Sequence, residues 1–185
     1  MARRITQRRP ALMIEQAGAA PGLPETKPFN ILVAGELILD RYLWGDVSRI
    51  SPEAPIPILQ VTRREEKPGN SGFVMANLRA LGAQATALSM VGADREGERL
   101  KEILRGLGVM TSSVLTDSER PTIVKQRMLG SVQTANRATQ QLLRVDEEEI
   151  RPITPARERM LKACVARELA KADGVLISDI AKGLL

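Results

Sequence analysis

The 185-residue chain has no histidine and a single cysteine, Cys164. These two gaps exclude much chemistry. Histidine triads, Cys–His dyads, histidine metal centres and zinc fingers cannot be assembled. No intrachain disulfide can form, which points to a reducing compartment and a cytoplasmic protein. Cys164 falls on the apolar side of an expected helix and reads as a small core residue rather than a nucleophile. Aromatic residues make up 2% of the chain, so stacking platforms for single-stranded nucleic acid are nearly absent. No apolar run is long enough to span a membrane. Neither a G-x-x-x-x-G-K-S/T phosphate loop nor a G-x-S-x-G nucleophile elbow occurs. What remains is chemistry done by Asp, Glu, Lys, Arg and backbone amides. Phosphoryl transfer suits that inventory, because it depends on positioning and charge more than on covalent catalysis.

The net charge is +5 and the isoelectric point is near 9.8. Much of the excess lies in residues 1–28, where Arg3, Arg4, Arg8, Arg9 and Lys27 outnumber Glu15 and Glu25. This stretch is expected to be a disordered or loosely helical basic leader, with organelle targeting as the other reading. The remainder is close to balanced, and no nucleic-acid partner is expected.

The rest of the chain alternates strands and helices at spacings that suit βαβ units. "FNILVAGELIL" (29–39) reads as one long buried strand. "PIPILQVT" (55–62) is extended, and Pro55 and Pro57 confine it to a sheet edge. "SGFVMANLRALGA" is a helix carrying Val74, Leu78 and Leu81, closed by Gly82. "ATALSMVG" is a second core strand. "ADREGERLKEILRGLG" is the clearest helix, capped by Asp94, with Leu100, Ile103, Leu104 and Leu107 on one stripe. "VMTSSVLT" is a third core strand, and "TIVKQRML" and "QQLLRVDEE" are two strands joined by the polar loop 130–139. Thr154 and Pro155 open a helix whose apolar face is Met160, Leu161, Cys164, Val165 and Leu169. "GVLIS" (174–178) is apolar on both faces and is expected to be covered on both. The chain stops soon after it, where another helix should begin, as if it ends before its domain does.

Several residues are candidates for a site. Glu36 and Asp40 close an apolar run, and a carboxylate at such a point can accept hydrogen bonds from vicinal sugar hydroxyls. The plain alternative is a paired acid for Glu36 and a solvated acid for Asp40. In "KPGNSG", Gly69, Asn70 and Gly72 bring bare backbone to the start of a helix, where anions and polar ligands are attracted. "SDIAKG" places Asp179 and Lys182 beyond the carboxyl end of a strand, the usual ligand position in open α/β sheets.

Together these pieces resemble the ribokinase-like, PfkB-type carbohydrate kinases, and within them the bacterial heptose-7-phosphate kinases and the kinase part of the bifunctional heptose-phosphate kinase/adenylyltransferases. The stretches that carry the resemblance are "LDRYLWGDVSRISPEAPIPIL", "KPG", "NLRALGA", "VGADREGERL", "PTIVKQRML", "QQLLRVDEE" and "LISDIAKGLL", in order from about Asn30 to Leu185. The resemblance implies a three-layer α/β/α sandwich with a small β-sheet lid at about 42–64. It implies that Asp40 is the sugar-binding acid, and that Arg49 reads the sugar phosphate with Lys125, Arg127 and Arg144. The complete enzyme would move the γ-phosphoryl of ATP–Mg2+ to the anomeric hydroxyl of D-glycero-D-manno-heptose 7-phosphate, giving a 1,7-bisphosphate for lipopolysaccharide or other heptosides. A homodimer through the lid is implied as well.

The chain also departs from that pattern. The family usually has Asp where this chain has Glu36. It reads G-G-A-A-N where this chain has Gly69 to Phe73, so Phe73 stands at the sugar-contacting Asn, and it has Tyr where this chain has Ile180. The family's ATP segment, its N-x-x-E motif and its G-A/G-G-D loop with the catalytic Asp all lie after the "DYAKG" position. The expectation is therefore the sugar-binding half and lid, with no catalytic residue, no metal ligand and neither ATP nor Mg2+ bound by this chain alone. A separate C-terminal half is a possible partner. The rivals are a sibling sugar kinase and a non-catalytic sugar-binding or dimerisation module.

Overall fold

The computed structural model describes residues 28–132 and 139–185. The leader expected over 1–28 thus lies outside the described residues except for Pro28. The elements run β1 (Asn30–Gly35), β2 (Leu37–Ile50), β3 (Pro57–Asn70), α1 (Ser71–Ala80), β4 (Gln84–Gly92), α2 (Arg95–Gly106), β5 (Met110–Asp117), β6 (Ile123–Val132), β7 (Thr139–Glu147), α3 (Pro155–Leu169) and β8 (Gly174–Ser178).

Two sheets share the chain. A parallel sheet has the order β5-β4-β1-β8, and a mixed sheet has the order β3-β2-β6-β7. In the mixed sheet β2 runs antiparallel to β3 and parallel to β6, and β7 is antiparallel to β6. Helices α1 and α2 cover one face of the parallel sheet, where Met75, Leu100 and Leu104 pack on Val33, Ala85, Ala87 and Val91. Helix α3 covers the other face, with Leu161 and Cys164 against Leu32, Ala34, Leu88 and Met90. This is the expected three-layer arrangement. Each buried leucine contributes about 1.5–3 kcal/mol.

The first strand is not continuous. It breaks at Glu36, and the chain crosses there from the parallel sheet into the mixed one. At Gly35 the backbone of Ser178 lies where a Cβ would stand, so only glycine allows β1 and β8 to meet there. The Glu36 carbonyl accepts from the Asn70 side chain at 2.9 Å and the Ser71 hydroxyl at 2.5 Å, rather than from a ladder partner. β3 starts at Pro57 at the sheet edge, as the prolines require, but it runs on through "RREEKPGN" to Asn70, well past Thr62.

The helix faces also differ from the apolar periodicity. In α1 the buried residues are Ser71, Gly72 and Met75, while Leu81 is past the helix end and 83% exposed. In α3, Met160 and Leu169 are exposed and Glu168 is buried instead. Glu168 is affordable there because Ser113, Arg167 and Lys171 all donate to its carboxylate. The Arg167 hydrogen bond, helped by those of Ser113 and Lys171, holds its acid below the usual carboxylate range despite burial. The caps are as expected: Asp94 accepts from the Gly97 amide at 2.7 Å and Thr154 from that of Arg157 at 3.4 Å. β8 is an edge strand covered on one face only. Val175 is 49% and Ile177 68% exposed, so one of the two covers that its apolar faces call for is missing among the described residues.

Candidate substrate-binding site

The hairpin β2–β3, extended by β6 and β7, projects beyond the parallel sheet, and its strands have two unlike faces. Strand alternation puts Asp40, Tyr42 and Trp44 on one face of β2. In register, Asp40 lies between Lys67 and Lys125, Tyr42 between Glu65 and Arg127, and Trp44 beside Arg63. On β7, Asp146 pairs with Lys125 and Arg144 with Arg127. The result is a lattice of cations and acids on an aromatic floor. Tyr42 and Trp44 stack at 6.5 Å, with the Arg127 guanidinium 5.2 Å from the Tyr42 ring and that of Arg63 4.4 Å from the Trp44 ring.

Asp40 sits at the root of this face. Arg127 donates to it at 2.5 Å, and both side chains are about four-fifths buried, at 18% and 21% exposure. Burial works against the Arg127 charge, but the Asp40 hydrogen bond and the charges of Asp40, Tyr42 and Asp146 together outweigh it and hold the guanidinium protonated even more firmly than usual. The Asp40 carboxylate lies over Gly69, where any Cβ would collide with it. The glycine of "KPGNSG" thus makes room for an acid. Lys125 approaches Asp146 at 3.5 Å and Arg144 approaches it at 2.9 Å, so one carboxylate is shared by both cations. A phosphate could displace Asp146 from either.

The remaining predicted residues are used differently. Both oxygens of Glu36, which is 3% exposed, accept backbone amides: Ile180 at 3.2 Å and Lys182 at 3.1 Å. Between them Ala181 takes φ 56, a left-handed conformation that costs a non-glycine residue about 1–2 kcal/mol. Successive amides in such a turn form an anion-binding nest, and Glu36 is its anion. Glu36, expected as a sugar ligand, is thus used in this structure as a clamp on the loop 179–183. Asn70 is committed at both ends, to the Glu36 carbonyl and to the Ser178 hydroxyl at 3.2 Å. It therefore does not offer its amide in place of the Asn missing at Phe73, which is 61% exposed. Asp179 turns back to the Ala181 amide at 2.8 Å. Lys182 pairs with Glu148 at 2.7 Å, and the second Glu148 oxygen is buried without a hydrogen-bond partner among the described residues. Arg49 is exposed near the far end of β2, nine residues along the strand from Asp40, and is not brought to the Asp40–Arg127 pair.

Sequence reasoning missed Tyr42, Lys67, Asp146 and Glu148. For Tyr42 the signal was present in the alternation Asp40, Tyr42, Trp44; for Lys67 and Asp146 it lay in cross-strand register, which one strand does not reveal.

Residues 29–175 match the pfkB family of carbohydrate kinases. The chain belongs to that family. Among its curated relatives is D-beta-D-heptose 7-phosphate kinase of Bordetella bronchiseptica, 47% identical over 84% of this chain and 47% of the relative. Another is bifunctional protein HldE of Geobacter metallireducens, 40% identical over 86% of this chain and 31% of that protein. The chain spans less than half the length of these relatives. Solved structures share the ribokinase-like α/β fold. A carbohydrate kinase from Agrobacterium tumefaciens superposes with a TM-score of 0.62 at 23% identity, over 80% of this chain and 45% of that one. The ribokinase of Arabidopsis thaliana superposes with a TM-score of 0.53 at 15% identity, over 82% and 45% of the two chains. Among the described residues of this pfkB-family chain, no helix is long and apolar enough to cross a membrane, and no group of three His, Cys, Asp or Glu is arranged to hold a metal.

Proposed function

We propose that residues 29–185 are the sugar-binding half and lid of a cytoplasmic kinase that phosphorylates D-glycero-D-manno-heptose 7-phosphate at its anomeric hydroxyl. The observation that carries this reading is the Asp40–Arg127 pair on the face of β2, β6 and β7 that also bears Lys125 and Arg144, in a chain 47% identical to a protein named as a heptose 7-phosphate kinase. Asp40 accepts from sugar hydroxyls. Arg127, Lys125 and Arg144 receive the phosphate, and Arg suits it by presenting paired donors. Tyr42 and Trp44 offer an apolar floor to the sugar ring. Glu36 holds the loop 179–183 in place beside this face through its two amides.

ATP and Mg2+ belong to the complete enzyme. ATP supplies the transferred phosphoryl group and Mg2+ neutralises its developing charge. The residues described provide no acidic cluster for that metal, and no step through it is assigned to them. In this reading the chain alone is inactive as a kinase. In the same reading it pairs through the lid with a second copy, and the open β8 edge, where Val175 and Ile177 are exposed, is a surface for a further partner.

A second reading is favoured by Phe73, which is exposed where a hydrogen-bonding Asn stands in the family, and by the internal commitment of Asn70. In that reading the chain is a non-catalytic binding or dimerisation module, or a kinase for a different sugar. Titration with heptose 7-phosphate, ribose and buffer, followed by an ADP-release assay, separates the readings. Saturable binding of heptose 7-phosphate without ADP release is the expected outcome. Selective binding of another sugar overturns the substrate assignment, and ADP release by the chain alone overturns its inactivity.

A further inference from the structure

The opposite face of the same strands carries a second feature. A cavity of about 420 Å³ lies between the back of the β2–β3 hairpin and the start of α2. Its charged lining is Arg41, Arg64, Arg95, Arg99, Glu66 and Glu96. Four arginines face two glutamates, and Glu102, outside the lining, also takes Arg99 at 3.2 Å, so a net positive charge remains in the cavity.

The pairing inside it is uneven. Glu66 receives Arg41 at 3.0 Å and Arg99 at 2.8 Å, and Arg41 also reaches Glu96 at 3.5 Å. Burial pushes the Glu66 acid up, but the Arg99 and Arg41 hydrogen bonds bring it below the usual carboxylate range. Arg64 and Arg95 have no ion pair or hydrogen bond among the described residues and face the same cavity from opposite walls, one on β3 and one on α2.

Arg95 is also misplaced by the ordinary rules. It is the first residue of α2, where the helix end is itself positive and cations are disfavoured. Three more arginines gather around it. Asp94 at the N-cap and Glu96 and Glu98 in the first turn offset the positive helix end, but none of them pairs with the Arg95 side chain among the described residues. An anion supplies the missing partner of Arg64 and Arg95, and the volume admits a diphosphate or a larger organic phosphate.

We propose that this cavity is a second anion site, on the back of the lid, for a small phosphate-bearing molecule held by Arg64 and Arg95. It is distinct from the Asp40 face. Residues of the two faces alternate along the strands: Arg41 follows Asp40, Arg64 follows Arg63, and Glu66 lies between Glu65 and Lys67. An occupant therefore braces the strands that carry the sugar-binding face, and joins them to α2.

The test is calorimetric titration of the full chain with inorganic pyrophosphate, against sodium chloride of matched ionic strength. Saturable one-site binding is expected. Arg64→Gln combined with Arg95→Gln should weaken it about tenfold or more, the scale of losing charge-assisted hydrogen bonds, while Lys162→Gln, on exposed α3 and away from both faces, leaves it unchanged. Both replaced residues are exposed and unpaired, so the fold does not depend on them. Absence of saturable binding overturns the proposal. So does binding that is lost in Arg127→Gln and kept in the double variant, which would place the anion on the sugar-binding face instead.

Discussion

The parallel sheet and the lid sheet are built from one chain by opposite rules. β1 and β4 are almost wholly apolar and buried, with Leu32, Val33, Ala87 and Leu88 at 2% exposure or less. β2 starts the same way, with Leu37, Ile38 and Leu39 buried, and then changes character at Asp40. Beyond that point both faces of the lid carry charge, and burial falls away. The body is therefore held by removal of apolar surface from water. The lid is held by its hydrogen-bond ladder and by ion pairs of partly exposed groups, each worth about 1 kcal/mol or less. Apolar burial gives way to paired charge within one strand, and Asp40 stands at the change.

The comparison is broken most strongly from the body side. Leu104→Ala, at 0% exposure between α2 and the sheet, is expected to cost about 2–5 kcal/mol in chemical denaturation. A truncation in the lid at exposed Ile50 should cost under about 0.5 kcal/mol in the same assay. Equal losses would refute the division between the two sheets.

Next in size is Glu36→Ala. It leaves the amides of Ile180 and Lys182 without their acceptor beside left-handed Ala181, at a cost of about 1–3 kcal/mol. Limited proteolysis should then cut the loop 179–183 faster. Unchanged cleavage and stability would remove the clamp from the account.

A smaller effect separates the two regions by pH. Glu66, Asp94 and Glu168 are held below their ordinary values of 4.5, 3.8 and 4.5. For Glu66 and Asp94 burial opposes this and the donated hydrogen bonds win; for Glu168 the Arg167 bond leads. Folded-state values below the unfolded ones give stability that is present above about pH 4.5 and lost as pH falls through the lowered values. Melting temperature should be flat near neutrality and drop in that acid window. Glu66→Gln should reduce the drop more for a lid-strand probe such as Trp44 fluorescence than for far-ultraviolet circular dichroism of the body. Smallest of all, added salt should loosen the lid pairs Lys125–Asp146 and Arg144–Asp146 while leaving the melt of the body within experimental error.

The body was legible in the sequence because its signals are local. Apolar runs, Asp94 and Thr154 as caps and Gly82 as a helix stop each name a conformation by themselves. In the lid single strands were legible, the edge strand from its prolines, but their assembly only through resemblance. Its pairings depend on register between strands far apart in sequence, so Arg127 could be named as basic but not as the partner of Asp40, 87 residues away. Glu36 shows the limit most clearly. An acid at the end of an apolar run reads as a ligand contact, yet the loop that claims it lies 144 residues later. Glu168 shows the reverse case: an acid in a helix reads as solvated until Ser113, Arg167 and Lys171 are seen around it.

The central claim is that Asp40 is the acid that holds the sugar. Calorimetry of the chain and of Asp40→Ala with D-glycero-D-manno-heptose 7-phosphate tests it most directly. Loss of a charge-assisted hydrogen bond costs about 1.5–3 kcal/mol, so affinity should fall by about one to two decades. Unchanged affinity in Asp40→Ala, with the substrate still bound by the parent chain, would contradict the account.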